Sequence, residues 1–399
     1  MKSRLLLTLF LAISLAAAGW IPGNIGVGED LWAVRFPSGS DTGFTTGLTS
    51  TGTVFRTVDA AQTWSALPHQ FTYTLYALDF PAGSATGYAG GGTSGAAFYR
   101  TTDAGQSWAL LGSGLTRPVR SISFPSGPDT GYAVGEVGMV ALTTDGGANW
   151  AGQTSGVGVD LFSVCFPSGT DTGFAVGDSG RVLKTTNRGS SWTVQNSGTG
   201  SRLLSVAFAG DCRTGFACGP LVAIRTTDGG ASWLPESTGS GLWLASARFV
   251  GHDTGFAVGA VGTVIRTTDR GATWQQQASG TGSDLNSVDF ADGLNGYACG
   301  HAGVLIRTTD GGASWVAEER VERTIGDLLP TIVRCVLRLP ASLITHHSSL
   351  ITSDGRKVLD LKPGPNDVRS LAPGVYFVRE DPRRRGIRDS RVHRVVVTE

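Results

Sequence analysis

The stretch TTDGGASW, at residues 226–233 and again at 308–315, decides how this chain reads. Looser copies occupy residues 57–64, 101–108, 143–150, 185–192 and 267–274. Their tryptophans are Trp64, Trp108, Trp150, Trp192, Trp233, Trp274 and Trp315, spaced by 44, 42, 42, 41, 41 and 41 residues. So regular a period marks a repeat architecture and has to be read before any local feature.

Each box has a local logic. An Asp ahead of Gly-Gly is turn chemistry: the carboxylate takes backbone N–H groups and Gly supplies a left-handed position. The Ser or Thr before Trp offers one more hydrogen bond, and the indole begins a new strand with a large ring to bury. The acidic turn positions are Asp59, Asp103, Asp145, Asp228, Asp269 and Asp310, with Asn187 in the fourth copy. Two other copies depart from the pattern, Ala61 replacing Gly in the first and Asn149 preceding Trp150 in the third. The turn that lost its Gly is expected to be the most strained.

Around each box the sequence reads as four short strands. In the fourth repeat these are residues 161–166, 173–177, 181–185 and 191–195, separated by PSGTDTG, DSG and the box. In the first of them Val164 and Phe166 alternate with Ser163 and Cys165. Four strands per repeat of this length is the period of a β-propeller blade. The expected fold is all-β: a seven-bladed propeller over residues 19–320, followed by a small β-sandwich domain. The blades themselves begin near Asp30. Trp20 lies 44 residues before Trp64, the first repeat spacing. That leaves two readings of the segment before blade one: a fourth strand that completes the last blade, or a leader outside the ring.

The boxes resemble the Asp-box, or BNR, repeat. The longer unit SVDFADGLNGYACGHAGVLIRTTDGGASW, residues 287–315, resembles the photosystem II stability and assembly factor-like family. That resemblance implies a non-catalytic, protein-binding propeller and a basic patch from the repeat arginines. Those arginines, Arg56, Arg100, Arg225, Arg266 and Arg307, with Lys184 in a sixth copy, sit just before the box. A position filled in so many blades reads as a scaffold ion pair or basic stripe, not as a catalytic triad.

The ends carry other signals. Lys2 and Arg4, the apolar run 5–15 and Ala16–Ala18 form the pattern of a secretory signal peptide over residues 1–18, with the mature chain expected from Gly19. The apolar run is too short for a bilayer span, and no later run reaches spanning length, so no transmembrane segment is expected in the mature chain. Residues 321–330 read as a linker. Within 331–399, GRKVLDLKPGPNDVRSLAPGVYFVR at 355–379 and the terminal strand around 394–397 resemble the C-terminal sorting domain of type IX secretion. The resemblance implies the type IX machinery as a partner and a secreted or cell-surface destination reached through the periplasm.

Thirty-two basic and 32 acidic side chains cancel, so nothing draws the chain to nucleic acid. The five cysteines are an odd set, and their spacing does not indicate a framework of disulfides; Cys212–Cys218 is the conceivable bridge. Cys218 and Cys299 share a repeat position with Val134, Val176 and Val258 and read as small buried hydrophobes. Asp-Thr-Gly at Asp41, Asp129, Asp171 and Asp253 imitates an aspartic-protease triplet but is a turn in four separate repeats. No His cluster has metal-ligand spacing and no Gly loop leads into a helix, so neither metal nor cofactor is expected.

In a propeller the first strand of each blade lines the channel, and successive loops alternate between the two faces. One face is built from the near-identical PSG-x-DTG and TTDGG turns. On the other the repeats differ. There the first-strand position reads Trp32, Tyr76, Arg120, Phe162, Leu204, Ala245 and Asn286, and the loops add Glu136, Asp178 and His301. Trp32, Tyr76, Arg120 and Phe162 are therefore the candidate ligand-binding residues, with a protein or a glycan as ligand; the competing reading makes these rings channel core. The expected function is a non-enzymatic binding module, the alternative a carbohydrate-active or carbohydrate-binding surface propeller. An inward pair of non-repeat acids would favour the alternative.

Overall fold

The computed structural model describes residues 19–47, 52–67, 71–167, 169–312 and the strands of the tail between 331 and 397. The chain separates into two units, residues 1–317 and 318–399.

The first unit is a seven-bladed propeller of four-stranded antiparallel sheets. The strands nearest the axis are Leu31–Arg35, Leu75–Asp79, Val119–Ser123, Leu161–Cys165, Ser205–Phe208, Leu244–Val250 and Leu285–Phe290. Each packs on the next, and the last returns to the first. Blades one to six run outward in chain order. Blade seven draws its fourth strand, Ile21–Asn24, from ahead of blade one, where it pairs antiparallel with Val304–Thr308. The first reading of that segment is the observed one. Trp20 is buried edge-on against Phe256 and Phe290, the position that box tryptophans hold in other blades. Trp315 lies outside the described residues.

What joins blade to blade is a stack of aromatic rings. Phe36 stacks on Tyr297 of the preceding blade at 3.6 Å, Phe124 on Tyr88 at 3.7 Å and Phe166 on Tyr132 at 3.8 Å. A box tryptophan closes each stack edge-on: Trp64 on Phe36, Trp150 on Phe124, Trp192 on Phe166. Stacked and edge-on pairs are the favoured aromatic geometries. The Gly that opens each second strand makes room for this Phe: a Cβ on Gly43 would come within 2.2 Å of the Phe36 ring.

Within a box, the Thr226 hydroxyl donates to Asp228 Oδ1 (2.7 Å) and accepts the Gly230 N–H (2.9 Å). Asp228 also accepts the N–H groups of Ala231 and Ser232 and the Ser232 hydroxyl. Asn187 keeps the geometry with its polarity reversed on one side, its amide donating to Ser191 Oγ at 3.0 Å. In the first box Ala60 and Ala61 both hold left-handed backbone, with φ of 54° and 63°. Every other box places Gly at the second of these positions, so the expected strain is located where the Gly is missing.

In blades four, five and seven the basic residue before the box is a clasp. Lys184 Nζ donates to Gly229 O (2.7 Å), Arg225 Nε to Arg270 O (2.8 Å) and Arg307 Nη1 to Ala60 O (3.1 Å), each a carbonyl in the next blade's box. These three members of the basic stripe are thus turned to scaffold use, by hydrogen bonds to carbonyls instead of ion pairs. Cys165, Cys212, Cys218 and Cys299 are unbridged. Burial pushes the thiols of Cys218 and Cys299 up to about 12, as expected of small core residues.

The second unit holds a five-stranded sheet and a two-stranded ladder. In the sheet, Thr331–Val333 lies parallel to Val392–Val397, which pairs with Gly374–Glu380, then Ser348–Thr352, then Lys357–Leu361. Ser348–Thr352 is an interior strand of the sheet. Gly364–Asp367 pairs with Val336–Leu339. Pro365 is tolerated because a two-stranded ladder has only edges.

The boxes carry a stability prediction. Asp59 is held at about 2, first by the Thr63 hydroxyl and then its N–H; Asp145 is held at about 2 by Asn149 in the same way. A depressed folded pKa stabilises above the unfolded value of about 3.9 and loses that contribution as pH falls through the folded one. Unfolding midpoints are therefore expected to fall between pH ~4 and ~2. At neutral pH Asp228→Ala should lower the midpoint clearly and Asp228→Asn only slightly, since box four already works with Asn. Trp233→Ala should cost about 3–5 kcal/mol. Equal denaturation curves for parent, Asp228→Ala and Trp233→Ala would show that the boxes are not scaffold.

Candidate functional site

The inner strands enclose a channel of about 430 Å³. How its wall is made follows from a β-bulge. In six blades the pairing of first and second strands slips by one residue at the second position of the inner strand, between Leu31 and Ala33 in blade one and between Leu161 and Ser163 in blade four. Strict alternation would send Phe162 to the side of Val164 and Phe166, which are core. The bulge turns it to the channel instead, as bulges re-aim side chains. Trp32, Tyr76, Arg120, Phe162, Leu204, Ala245 and Asn286 all line the channel and all remain partly exposed.

At the end where the inner strands begin, these side chains form a run of ring contacts. Trp32 meets Tyr76 at 5.7 Å, close to perpendicular. The Arg120 guanidinium covers Tyr76 at 4.4 Å and is fixed by Glu136 at 2.6 Å. His301 meets the other edge of Trp32 at 6.3 Å, with Asp284 3.8 Å from its Nδ1. Phe162 is covered by Arg202, itself paired with Asp178. The loop residues Glu136, Asp178 and His301 therefore touch or fix the groups at this mouth. Arg202 lies in a spacer and escaped the sequence reading, although Ser-Arg there interrupts otherwise uncharged spacer sequence.

One level down, serine hydroxyls stitch neighbouring inner strands. Ser121 Oγ accepts the Val164 N–H, Ser163 that of Val206 and Ser205 that of Ala247, at 3.0–3.2 Å. Blades one and two carry Ala33 and Ala77 at this position, and carboxylates take over nearby. Asp289 Oδ2 accepts the Phe36 N–H (2.8 Å) and Asp79 Oδ2 the Phe124 N–H (2.6 Å). Arg35 bridges the two acids, donating to Asp79 at 2.6 Å and to Asp289 at 3.1 Å, while Arg248 lies 3.2 Å from Asp289. Burial opposes the charge on Arg35, but Asp289 and Asp79 outweigh it and raise its pKa. The sequence reading missed this belt. Its signal is the fifth inner-strand position, small in Ser123, Cys165 and Ala207 and charged in Arg35, Asp79, Arg248 and Asp289.

The channel thus does contain an inward pair of non-repeat acids. Each shares the Arg35 guanidinium and accepts at least one backbone N–H, so both carboxylates are already engaged within the scaffold. The pair reads as the closing clasp between blades seven, one, two and three. Cys165 also faces the channel, and burial pushes its thiol up to about 11. Among the described residues no cluster could hold a metal ion, and no helix is long and apolar enough to cross a membrane.

This architecture can be set beside known proteins. A family model described as photosynthesis system II assembly factor YCF48 matches residues 242–357. The resemblance is to that family. The matched region takes in blades six and seven and runs into the second unit. No curated protein matches the chain. Among solved structures, YCF48 from Cyanidioschyzon merolae is 18% identical with a TM-score of 0.60, covering 73% of this chain and 98% of its own. A structure titled YCF48 bound to D1 peptide is 19% identical with a TM-score of 0.60, covering 74% and 98%. At these identities the likeness shows the shared propeller fold.

The belt makes a testable claim. Asp289 is almost fully buried. Asp289→Ala would leave Arg35 half-paired and the Phe36 N–H without its acceptor, at an expected cost of about 3–5 kcal/mol. Chemical denaturation measures it, and a variant as stable as the parent would remove the clasp from this account.

Proposed function

We propose that this chain is an exported, non-enzymatic propeller that captures a polypeptide ligand at the bulged mouth of its channel. The observation that carries the reading is the continuous, partly exposed run of His301, Trp32, Tyr76 and Arg120, with Phe162 and Arg202 beside it. Aromatic and arginine side chains held rigid at a concave surface are the usual anchors of protein recognition. The rest of the propeller repeats faithfully, so these positions are the ones released from packing duty. A propeller of the same fold is known holding a peptide, which supports a peptide as the ligand class. The alternative, a carbohydrate-acting propeller, loses support from the arginine-locked state of Asp79 and Asp289.

The destination is part of the proposal. Residues 1–18 act as the export signal, and the second unit serves as a type IX sorting domain that delivers the propeller to the cell surface or beyond it. The support is the sequence pattern at both ends.

Two experiments test these statements. Trp32→Ala combined with Tyr76→Ala should abolish retention of the polypeptide that the parent propeller pulls from envelope extract, with little change in melting temperature. Undiminished capture would place the ligand elsewhere. Removal of residues 318–399 should leave a folded propeller that stays in the periplasm; normal surface display of the truncated chain would refute the sorting role.

A further inference from the structure

We infer that the inner part of the channel, below the aromatic mouth, is a binding site for a small dicarboxylate, held by Arg248 at one end and by serine hydroxyls at the other. The inference does not depend on a polypeptide at the mouth. Three features carry it.

The first is the charge that the channel presents. The charged side chains of its wall are Arg35, Arg120, Arg248 and Asp79; Asp289 lies behind the wall. At the belt the side chains of Asp289 and Asp79 are 2% and 8% exposed, whereas those of Arg248 and Arg35 are 42% and 22% exposed. The acids are therefore covered and the guanidiniums are uncovered. Asp289 and Asp79 also spend their oxygens on Arg35 and on the N–H groups of Phe36, Phe80 and Phe124. Arg248 meets Asp289 through Nε. Its two terminal nitrogens have no partner among the described residues, and that edge of a guanidinium matches a carboxylate in a two-pronged pair.

The second is unused hydroxyl donors. Ser121, Ser163, Ser205, Ser246 and Ser287 each accept an N–H from the next blade. A serine hydroxyl also has a proton to donate, and among the described residues nothing accepts it from any of the five. Ser205 is 7% exposed and lines the channel, so its unspent donor is both buried and directed to the cavity. An unmade hydrogen bond at a buried group is costly, and a ligand oxygen in the channel would complete it.

The third is room. At the belt level the other half of the ring carries only Ser123, Cys165 and Ala207. Burial pushes the Cys165 thiol up, while the charges of Arg248 and Arg35 pull it down, so both guanidiniums act across this small-residue side. The serines stand two residues before the belt on each strand, a rise of about 6–7 Å. Donors at two levels this far apart suit a short molecule with a carboxylate at each end.

The test is calorimetric titration of the full chain with succinate, acetate, inorganic phosphate and the diamine putrescine. Succinate should bind at least about tenfold more tightly than acetate or phosphate, each of which reaches one level, and putrescine should not bind. Arg248→Gln should lose about tenfold or more with the melting temperature nearly unchanged, because Arg35 still holds Asp289; Arg248→Lys should fall between. Ser123→Leu, which fills the small-residue half, should abolish binding. Trp32→Ala with Tyr76→Ala should keep succinate binding, which separates this site from the mouth. A glutamate capped as acetyl-Gly-Glu-Gly-amide should bind no better than acetate; tighter binding of it than of succinate would assign the site to a polypeptide side chain and overturn the inference. No heat with succinate, equal affinity for succinate, acetate and phosphate, or full affinity in Arg248→Gln would each overturn it as well.

Discussion

The propeller depends on one contact made over and over: a ring from the second strand of one blade lying flat on the Phe that ends the first strand of the next, with a tryptophan set edge-on to close the stack. Blades do not share backbone hydrogen bonds through their sheets. Ring burial, the serine stitches and the clasps from Lys184, Arg225 and Arg307 carry the load between them instead. Much of the repeat can be understood as service to this contact. Gly before the aromatic gives the Phe space, and the box turn aims the indole. The depressed carboxylates of Asp59 and Asp145 are a by-product of holding that turn.

Closing the ring makes a special seam. Blade seven takes its last strand, Ile21–Asn24, from ahead of blade one, and Trp20 fills the slot of a box tryptophan. The charged belt lies at the same seam, where Arg35 joins Asp289, 254 residues away in sequence, to Asp79. Elsewhere uncharged serines do the stitching. Ion pairs at buried sites are costly unless fully partnered, and here the carboxylates are occupied by guanidinium and backbone N–H together. That occupancy argues for a structural role and against acid–base work in the channel.

The proposed recognition surface lies where the repeat is released from this duty. The bulge at the second inner-strand position lifts one side chain per blade out of the ladder, so Trp32, Tyr76, Arg120 and Phe162 could diverge without disturbing the stacks. The loops on the same face carry the remaining differences. One face of the molecule is held constant by its turns, and the other is free to be specific.

The sequence by itself determined the blade count, the box geometry and the face on which variation collects, because these depend on contacts at fixed spacing within one repeat. Even Asn187 in a box was readable, since an amide and a carboxylate share an acceptor oxygen. Three matters were left to the tertiary structure. The fourth strand of blade seven had two equal readings from spacing, and pairing across the ring decided between them. Phe162 belongs to the core by alternation and to the channel by observation, and only the bulge, a property of two strands in register, settles that. The belt of Arg35, Asp79, Arg248 and Asp289 could not be seen in the chain, because its members come together only when the ring closes and each residue alone is an ordinary strand position. Local periodicity is written in the sequence; closure and register are written in contacts between its distant parts.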